Sequence, residues 1–161
     1  MDELFSHASP VPGPEHTAAD VPAPLVCSVM VPVAADQAFE GMTEYIHLWW
    51  PVGKYSAFGS GTHPAFGAGS LYEEAEDGRQ YQWARVVQVK HPRLIELSFT
   101  MLMDQYPPTR VTIAFEELGT GTKVMLMHDG WAPGAAGQEQ VAKYGGWAEI
   151  LGFYVRFMGG R

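Results

Sequence analysis

The side chain with the clearest chemical potential in this sequence is His128, at the end of an alternating run. Val124, Leu126 and His128 fall on one face of the run, and Met125 and Met127 fall on the other. If the first face is buried, the His128 side chain points into the interior with Val124 and Leu126 and is the polar group of that face. A neutral imidazole there could exchange a proton with a bound carbonyl compound. The alternative is a core histidine whose hydrogen bonds are satisfied by the protein itself.

Charged residues on neighbouring strand candidates offer a second possible reactive group. Glu74, Arg85 and Glu96 could form a buried polar cluster, or they could pair at the surface, as charged residues usually do. Covalent catalysis has no support, because no Gly-x-Ser-x-Gly segment and no Ser-His-Asp or Cys-His pattern occurs. Acid–base chemistry is therefore the reaction class to consider, with His128 as the candidate catalytic residue.

The sequence contains no pattern typical of a metal or cofactor site. The histidines lack paired spacing of the helical or finger type, and the single cysteine, Cys27, adds no ligand to them. Two glycine-rich segments, Gly59-Ser60-Gly61 and Gly119-Thr120-Gly121, lack the strand-to-helix context of phosphate loops and are typical of turns. We therefore expect neither a metal nor a cofactor.

The composition is that of a folded protein with little attraction to polyanions. Hydrophobic residues make up 47% of the 161 residues, charged residues 17%, and the formal net charge is −8. Such a charge repels phosphate backbones and anionic membranes, so we expect no nucleic-acid binding. No apolar run approaches the roughly 20 residues needed to span a bilayer, so we expect no membrane insertion. The single cysteine excludes an intramolecular disulfide, and the N-terminus does not resemble a signal segment. Both features predict a cytoplasmic protein.

The first 24 residues differ from the rest in composition. They have little periodic hydrophobicity and contain five of the 12 prolines, at positions 10, 12, 14, 22 and 24. This predicts an extended N-terminal arm over residues 1–24, whose Leu4 and Phe5 could pack on the domain or on a neighbour. Residues 25–161 are expected to form a single domain, as is usual for a chain of this length.

The element that must support any site is the stretch from Gly137 to Met158. Its apolar residues recur at spacings of three and four, which predicts one long amphipathic helix. The apolar stripe consists of Val141, Tyr144, Ala148, Leu151, Val155 and Met158, widened by Trp147, Ile150 and Tyr154. Gly145 and Gly146 interrupt it, each at a cost of about 1 kcal/mol relative to alanine. They indicate a bend, the close approach of another backbone or room for a ligand, unless packing simply tolerates them.

A sheet is the surface expected to cover this helix, because several upstream runs alternate apolar and polar residues. The predicted strands span residues 25–31, 70–75, 80–89, 94–100, 110–117 and 122–128. Short turns join the last five, which predicts an antiparallel meander. Two short helices, capped by Asp36 and Thr43, should follow the first strand, and residues 52–69 should form a loop or an irregular edge strand.

The outer face of the predicted sheet carries Met125 and Met127. Paired methionines on an exposed face could mark a contact between two copies of the chain, so a homodimer is one possibility. The alternative is that they are scattered surface residues, which are common.

Several short segments occur in an order that resembles a known family. They are Pro32–Phe39, Trp49–Pro51, Gly69–Glu74, Asp77–Gly78, Trp83–Val86, Pro92–Leu94, Gly121–Val124, His128–Trp131 and Gly146–Trp147. The chain resembles the SRPBCC (START-like) superfamily over about residues 25–158, and within it the single-domain bacterial proteins similar to the activator of heat-shock protein 90 ATPase. Ala84 departs from the pattern, since the subfamily usually has glycine there.

The resemblance implies the helix-grip fold, an α+β fold whose curved antiparallel sheet wraps around the C-terminal helix and leaves a cavity. The residues expected to line that cavity are Trp49, Phe58, Tyr72, Trp83, Arg85, Phe99, Met101, His128, Trp147, Leu151 and Tyr154, with Met103 near its opening. The first expectation is binding of a small apolar molecule. The alternatives are a cyclase or dehydratase that acts by acid–base chemistry, and a chaperone-associated interaction module.

Overall fold

The computed structural model describes residues 20–161, which form one seven-stranded sheet with helices packed on its inner face. The strands are β1 (Leu25–Val31), β2 (His63–Gly67), β3 (Ser70–Glu74), β4 (Gln80–Lys90), β5 (Leu94–Phe99), β6 (Thr109–Leu118) and β7 (Gly121–Asp129). The helices are α1 (Ala35–Thr43), α2 (Ile46–Trp49), α3 (Gly134–Lys143) and α4 (Trp147–Phe157). Most of the predicted arm, including Leu4 and Phe5, lies outside the described residues.

All strands pair antiparallel, in the order β1-β7-β6-β5-β4-β3-β2. The strands from β3 to β7 form the predicted meander, β2 extends it beyond β3, and β1 pairs with β7 as the edge strand on the other side. The curled sheet holds the C-terminal helical segment on its concave side. The α+β helix-grip fold is therefore confirmed. The segment over residues 52–69 supplies β2 as the other edge strand.

The inward face of the central strands is the one predicted from the sequence. Val111 lies opposite His128, and Ile113 lies opposite Leu126. All four residues are buried, whereas Met125, which precedes Leu126 on β7, is exposed. The alternation of apolar and polar residues predicts the inward face correctly here, because β6 pairs with β7 without a register shift.

A register shift between β3 and β4 changes which residues face inward. Leu71 pairs with Ala84 and Tyr72 pairs with Gln82, so Trp83 is an extra residue on β4. Trp83 and Ala84 are consecutive and both are fully buried. Such a bulge lets neighbouring residues on one strand turn to the same side, which simple alternation does not predict.

The C-terminal helical segment is bent rather than continuous. α3 ends at Lys143 and α4 begins at Trp147, with Gly145 and Gly146 in the connection. The break shifts the phase of the helix, so that Ala148, which was predicted for the buried stripe, is exposed. The buried residues of α4 are Trp147, Ile150, Leu151, Tyr154 and Val155.

The two short helices are present, but their predicted caps are wrong. Thr43 ends α1, where its hydroxyl donates to the carbonyl of Phe39 at 2.9 Å. The first amide of α1, on Ala35, donates to the carboxylate of Glu117 at 2.8 Å, a partner supplied by β6 rather than by Asp36. Tertiary contacts therefore replace the local cap. No helix within residues 20–161 is long and apolar enough to cross a membrane.

The two outer methionines lie beside β1. Met125 is 39% exposed, and its neighbours across the pairing are Ser28 on β1 and Ala114 on β6. Met127 is half-buried opposite Val26, which is itself exposed. The face is therefore partly apolar, and a homodimer through it stays a prediction.

Candidate functional site

The centre of the grip is filled by side chains instead of enclosing a ligand cavity. A void of about 20 Å³ remains there, which is room for about one water molecule and far less than the roughly 150 Å³ that holds benzene. The residues around this void include Trp49, Phe99, Trp147 and Leu151. Trp83 and Tyr154 have no exposed surface. The expectation of a large cavity at this place is corrected by the structure, because these rings fill the space.

Three of the residues predicted to line the cavity lie elsewhere. Arg85 is exposed on the outer face of β4, because the bulge turns Trp83 and Ala84 inward. Tyr72 is half-buried on the outer side of β3, where it lies between the buried residues Leu71 and Glu73. Phe58 lies half-buried in the loop before β2, where the guanidinium of Arg79 stacks 4.6 Å from its ring centre. None of these three side chains belongs to the interior between sheet and helix.

The predicted polar cluster is replaced by a different residue, Glu73. Glu74 and Glu96 are half-buried and Arg85 is exposed, so they form no buried group. Glu73, one residue before Glu74, is fully buried. One of its oxygens accepts from the amide of Ala57 at 2.7 Å and from the indole of Trp83 at 2.6 Å. The other oxygen accepts from the amide of Phe58 at 3.1 Å. Glu73 therefore anchors the loop before β2.

His128 lies where its strand position predicts, with no exposed surface. Its Nδ1 accepts from the indole N–H of Trp147 at 3.0 Å, and its Nε2 lies 2.7 Å from the hydroxyl of Thr109. An indole nitrogen only donates, so Nδ1 carries no proton and Nε2–H donates to Thr109. The Thr109 hydroxyl in turn donates to the carbonyl of Phe99 at 3.2 Å. Every polar atom in this series of hydrogen bonds, from Trp147 through His128 and Thr109 to Phe99, has a partner.

This environment holds the His128 ring in its neutral form. Aromatic rings surround it, with the ring centres of Trp131 at 4.4 Å and Tyr144 at 4.8 Å. Burial lowers the pKa of His128 from 6.5 to about 3, against the opposing effect of the Asp129 charge. A general base near neutral pH needs a free nitrogen and a pKa close to the working pH. His128 has neither, so its geometry is that of a core histidine.

An apolar pocket of about 160 Å³ opens at the end of the grip, beside the break between α3 and α4. Three segments meet there: the turn after α2, the turn after β5, and the α3–α4 connection. The lining residues are Trp50, Lys54, Tyr55, Phe99, Met101, Leu102, Lys143, Tyr144, Gly146, Trp147 and Ile150. Of the predicted ligand-binding residues, this pocket brings together Phe99, Met101 and Trp147.

The first wall is the turn after α2. The indole of Trp50 donates to the carbonyl of Tyr55 at 2.7 Å, which closes the turn. The ring of Tyr55 then lies against Gly146, so close that a β-carbon on Gly146 would meet the Tyr55 hydroxyl at 2.4 Å. Glycine at this position leaves room for the tyrosine ring. The predicted bend is therefore present, whereas the close approach is made by the side chain of Tyr55 and not by another backbone.

The second wall is the turn after β5, which the side chains of two tyrosines hold in place. The hydroxyl of Tyr81 accepts from the amide of Leu102 at 2.7 Å and donates to Asp104 at 2.5 Å. Burial, together with the hydrogen bond to Asp104, raises the pKa of Tyr81 to about 12. The hydroxyl of Tyr144 donates to the carbonyl of Met101 at 2.6 Å. Leu102 has a left-handed backbone, with φ +60, a strained conformation for a bulky residue.

The rim of the pocket is polar. The ammonium of Lys54 and the hydroxyl of Tyr55 both donate to one oxygen of Glu149, at 2.9 and 2.7 Å. The hydrogen bond from Lys54 lowers the pKa of Glu149, and the hydrogen bond to Glu149 raises the pKa of Lys54 and of Tyr55. Lys143, in the last turn of α3, is a second basic residue of the lining.

Residues 20–161 contain no group of three or more His, Cys, Asp or Glu side chains arranged to hold a metal ion. The closest approach of two histidine rings that we find in this part of the chain is that of His47 and His63, stacked with centres 4.5 Å apart.

Comparison with known proteins places the chain in a family. Residues 33–153 match the family described as Activator of Hsp90 ATPase homolog 1-like protein. No curated protein matches the chain by sequence.

Solved structures with the same fold include CalU16 from Micromonospora echinospora, with 18% identity, a TM-score of 0.59, and coverage of 85% of this chain and 74% of CalU16. MLL2253 from Mesorhizobium loti has 16% identity, a TM-score of 0.59, and coverage of 85% and 97%. DynU16, a protein of the dynemicin biosynthetic locus, has 18% identity, a TM-score of 0.52, and coverage of 84% and 47%. With most of its length matched, the chain belongs to the Activator of Hsp90 ATPase homolog 1-like family, within the SRPBCC superfamily.

Proposed function

We propose that this protein binds a small apolar molecule, about the size of one aromatic ring, in the pocket beside the α3–α4 break. The observation that carries the proposal is the pocket itself, with about 160 Å³ of space between the rings of Trp50, Tyr55, Phe99, Tyr144 and Trp147. An apolar cavity of about 150 Å³ is enough to hold benzene. Aromatic walls with a few polar groups at the edge are typical of ligand sites.

The fold and the family are compatible with this proposal. SRPBCC proteins with a curved sheet around a C-terminal helix support a ligand-binding or cyclase-type role. One structural relative, DynU16, belongs to a biosynthetic locus, which favours a small-molecule ligand here too. The proposed site differs from the predicted one, because the ligand would sit at the end of the grip instead of in its centre.

A methyl NMR titration with benzyl alcohol tests the proposal. Ile150 and Met101 line the end pocket but not the central void, whereas Ile113 and Leu126 line only the central void. Saturable shifts of the Ile150 and Met101 methyl signals, with small changes at the other two, are the expected result. Shifts centred on Ile113 and Leu126, or no saturable shift at any of these residues, would overturn it.

A pair of leucine variants provides the matched control. Leu102→Trp places a large ring in the pocket wall, and Leu118→Trp makes the same change at an exposed site at the end of β6. We expect the first variant to weaken probe binding at least tenfold and the second to bind as the unaltered protein does. Equal binding by both variants would contradict the assignment of the site.

An acid–base enzyme is a weaker proposal, because His128 has both ring nitrogens occupied and a pKa of about 3. The polar groups that remain at the pocket are those of the rim, chiefly Lys54 and Tyr55. If turnover of a bound substrate is found, we expect His128→Asn to retain it and Tyr55→Phe to reduce it. Loss of turnover in His128→Asn with the fold intact would restore the histidine as a catalytic candidate.

The family match favours one further candidate, a chaperone-associated module that stimulates an ATPase. A pull-down of the bacterial heat-shock protein 90 with this chain, together with its ATPase rate at saturating concentrations, tests this directly. A bound complex with a raised rate would support the module. No complex, or a complex with an unchanged rate, would remove it.

A further inference from the structure

The rim of the pocket already holds a carboxylate, supplied by the protein itself. Lys54 and Tyr55 are adjacent in the chain, line the pocket, and both donate to the same oxygen of Glu149, at 2.9 and 2.7 Å. Glu149 lies in the first turn of α4, immediately before the lining residue Ile150. The edge of the apolar pocket is therefore built to bind a carboxylate oxygen.

The charge of the lining is opposite to that of the whole chain. The chain carries a formal net charge of −8, yet the charged residues that line the pocket are Lys54 and Lys143, and no carboxylate is among the lining residues. Two lysines in the lining of an apolar site, one with its ammonium located at the rim, favour an anionic group on a ligand whose body is apolar.

The ion pair at the rim can open at low cost. The side chains of Lys54 and Glu149 are 65% and 45% exposed, and exposed ion pairs of this kind contribute little to stability. A carboxylate brought by a ligand can therefore take the place of Glu149 on Lys54 and Tyr55, while Glu149 turns into solvent.

We propose that the natural ligand is an aromatic monocarboxylate. Its ring fills the space between Trp50, Phe99 and Trp147, and its carboxylate binds at the rim between Lys54 and Lys143, in exchange for Glu149. This inference rests on the proposed function, since it names the chemical class of the ligand for the same pocket.

Two matched probes test the inference, 3-phenylpropionate and 3-phenylpropionamide, which differ only in charge and in one hydrogen-bonding group. Dissociation constants measured by NMR titration in low salt should favour the acid about fivefold, the size expected for a partly exposed charge pair. The preference should decline as salt is raised, because screening weakens exposed charge interactions.

Four variants test separately how Glu149, Lys54 and Lys143 affect the preference for the acid, with Lys90 as the control. Glu149→Gln should raise the affinity for the acid about threefold and leave the affinity for the amide unchanged, because it removes the competing carboxylate. Lys54→Gln and Lys143→Gln should each reduce the preference for the acid. Lys90→Gln, which removes the same charge at an exposed position outside the lining, should leave the preference unchanged.

The outcomes distinguish this inference from the proposed function. Equal affinities for acid and amide would overturn the inference and leave the apolar site intact. A failure of both probes to bind would overturn the proposed function and the inference together. Weaker binding of the acid by Glu149→Gln would overturn the exchange at the rim.

Discussion

The buried His128 should make the protein lose stability in mild acid. In the folded state its Nδ1 accepts from Trp147 and its Nε2–H donates to Thr109, so protonation of Nδ1 would break the first bond and bury a charge. Burial lowers its pKa to about 3. In the unfolded chain the same ring titrates near its usual value of about 6.5.

The sign and size of the effect follow from these two values. Above pH 6.5 the ring is neutral in both states and has no effect, whereas below pH 6.5 only the unfolded state takes up the proton. The folded state therefore loses stability as the pH falls from 6.5 towards 3. Between pH 7 and pH 5 the loss is about 2 kcal/mol, and by pH 4 it is about 3 kcal/mol.

Urea unfolding of the protein and of His128→Asn, each at pH 7 and pH 5, isolates the contribution of His128 to the free energy of unfolding. Asparagine keeps an acceptor for Trp147 but does not titrate, and the other titrating groups are common to both proteins. We expect the unaltered protein to lose about 2 kcal/mol more than the variant over this interval. A direct check is the NMR titration of the His128 ring, which should stay neutral at pH 5. Equal losses, or a ring that titrates near 6.5, would refute the reasoning.

Two further predictions concern residues that hold the site together. Glu73→Gln should destabilise the protein by about 2 kcal/mol, because an amide cannot accept from all three donors, while Glu74→Gln on the outer face should change thermal stability little. A melting-temperature difference of the opposite order would be inconsistent with the assigned roles. Gly146→Ala should push Tyr55 off the rim and alter probe affinity, whereas Gly145→Ala, whose β-carbon would meet only ordinary contacts at 3.6 Å, should not. Comparable effects of the two alanines in the binding assay would argue against the close approach.

The fold could be predicted because its central strands follow simple rules. Val111, Ile113 and Leu126 face inward and alternate with outward residues without interruption, and short turns between strands force antiparallel neighbours. The placement of His128 on the inner face follows from the same alternation. Its neutral, fully bonded state could not be predicted, because its partners Trp147 and Thr109 are 19 residues away in either direction.

The candidate site could be predicted only in part, because two local irregularities decide its shape. The bulge beside Trp83 leaves Arg85 on the outer face, and no turn residue in the sequence marks its position. Glu73 looks like a surface residue next to Glu74, but it is buried on the inner face of β3 and binds a loop that is distant in sequence. The glycine pair did signal the break in the helix, but not that Tyr55 would lie against Gly146 and form the pocket wall.

The measurement that tests the account most directly is an experimental structure of the protein with 3-phenylpropionate bound. The account predicts that the ring lies between Trp50, Phe99 and Trp147, beside the break in the C-terminal helix, with the carboxylate within hydrogen-bonding distance of Lys54. A ring in the centre of the grip, against Ile113, would contradict it. So would an end pocket that remains without ligand at a concentration that saturates binding in solution.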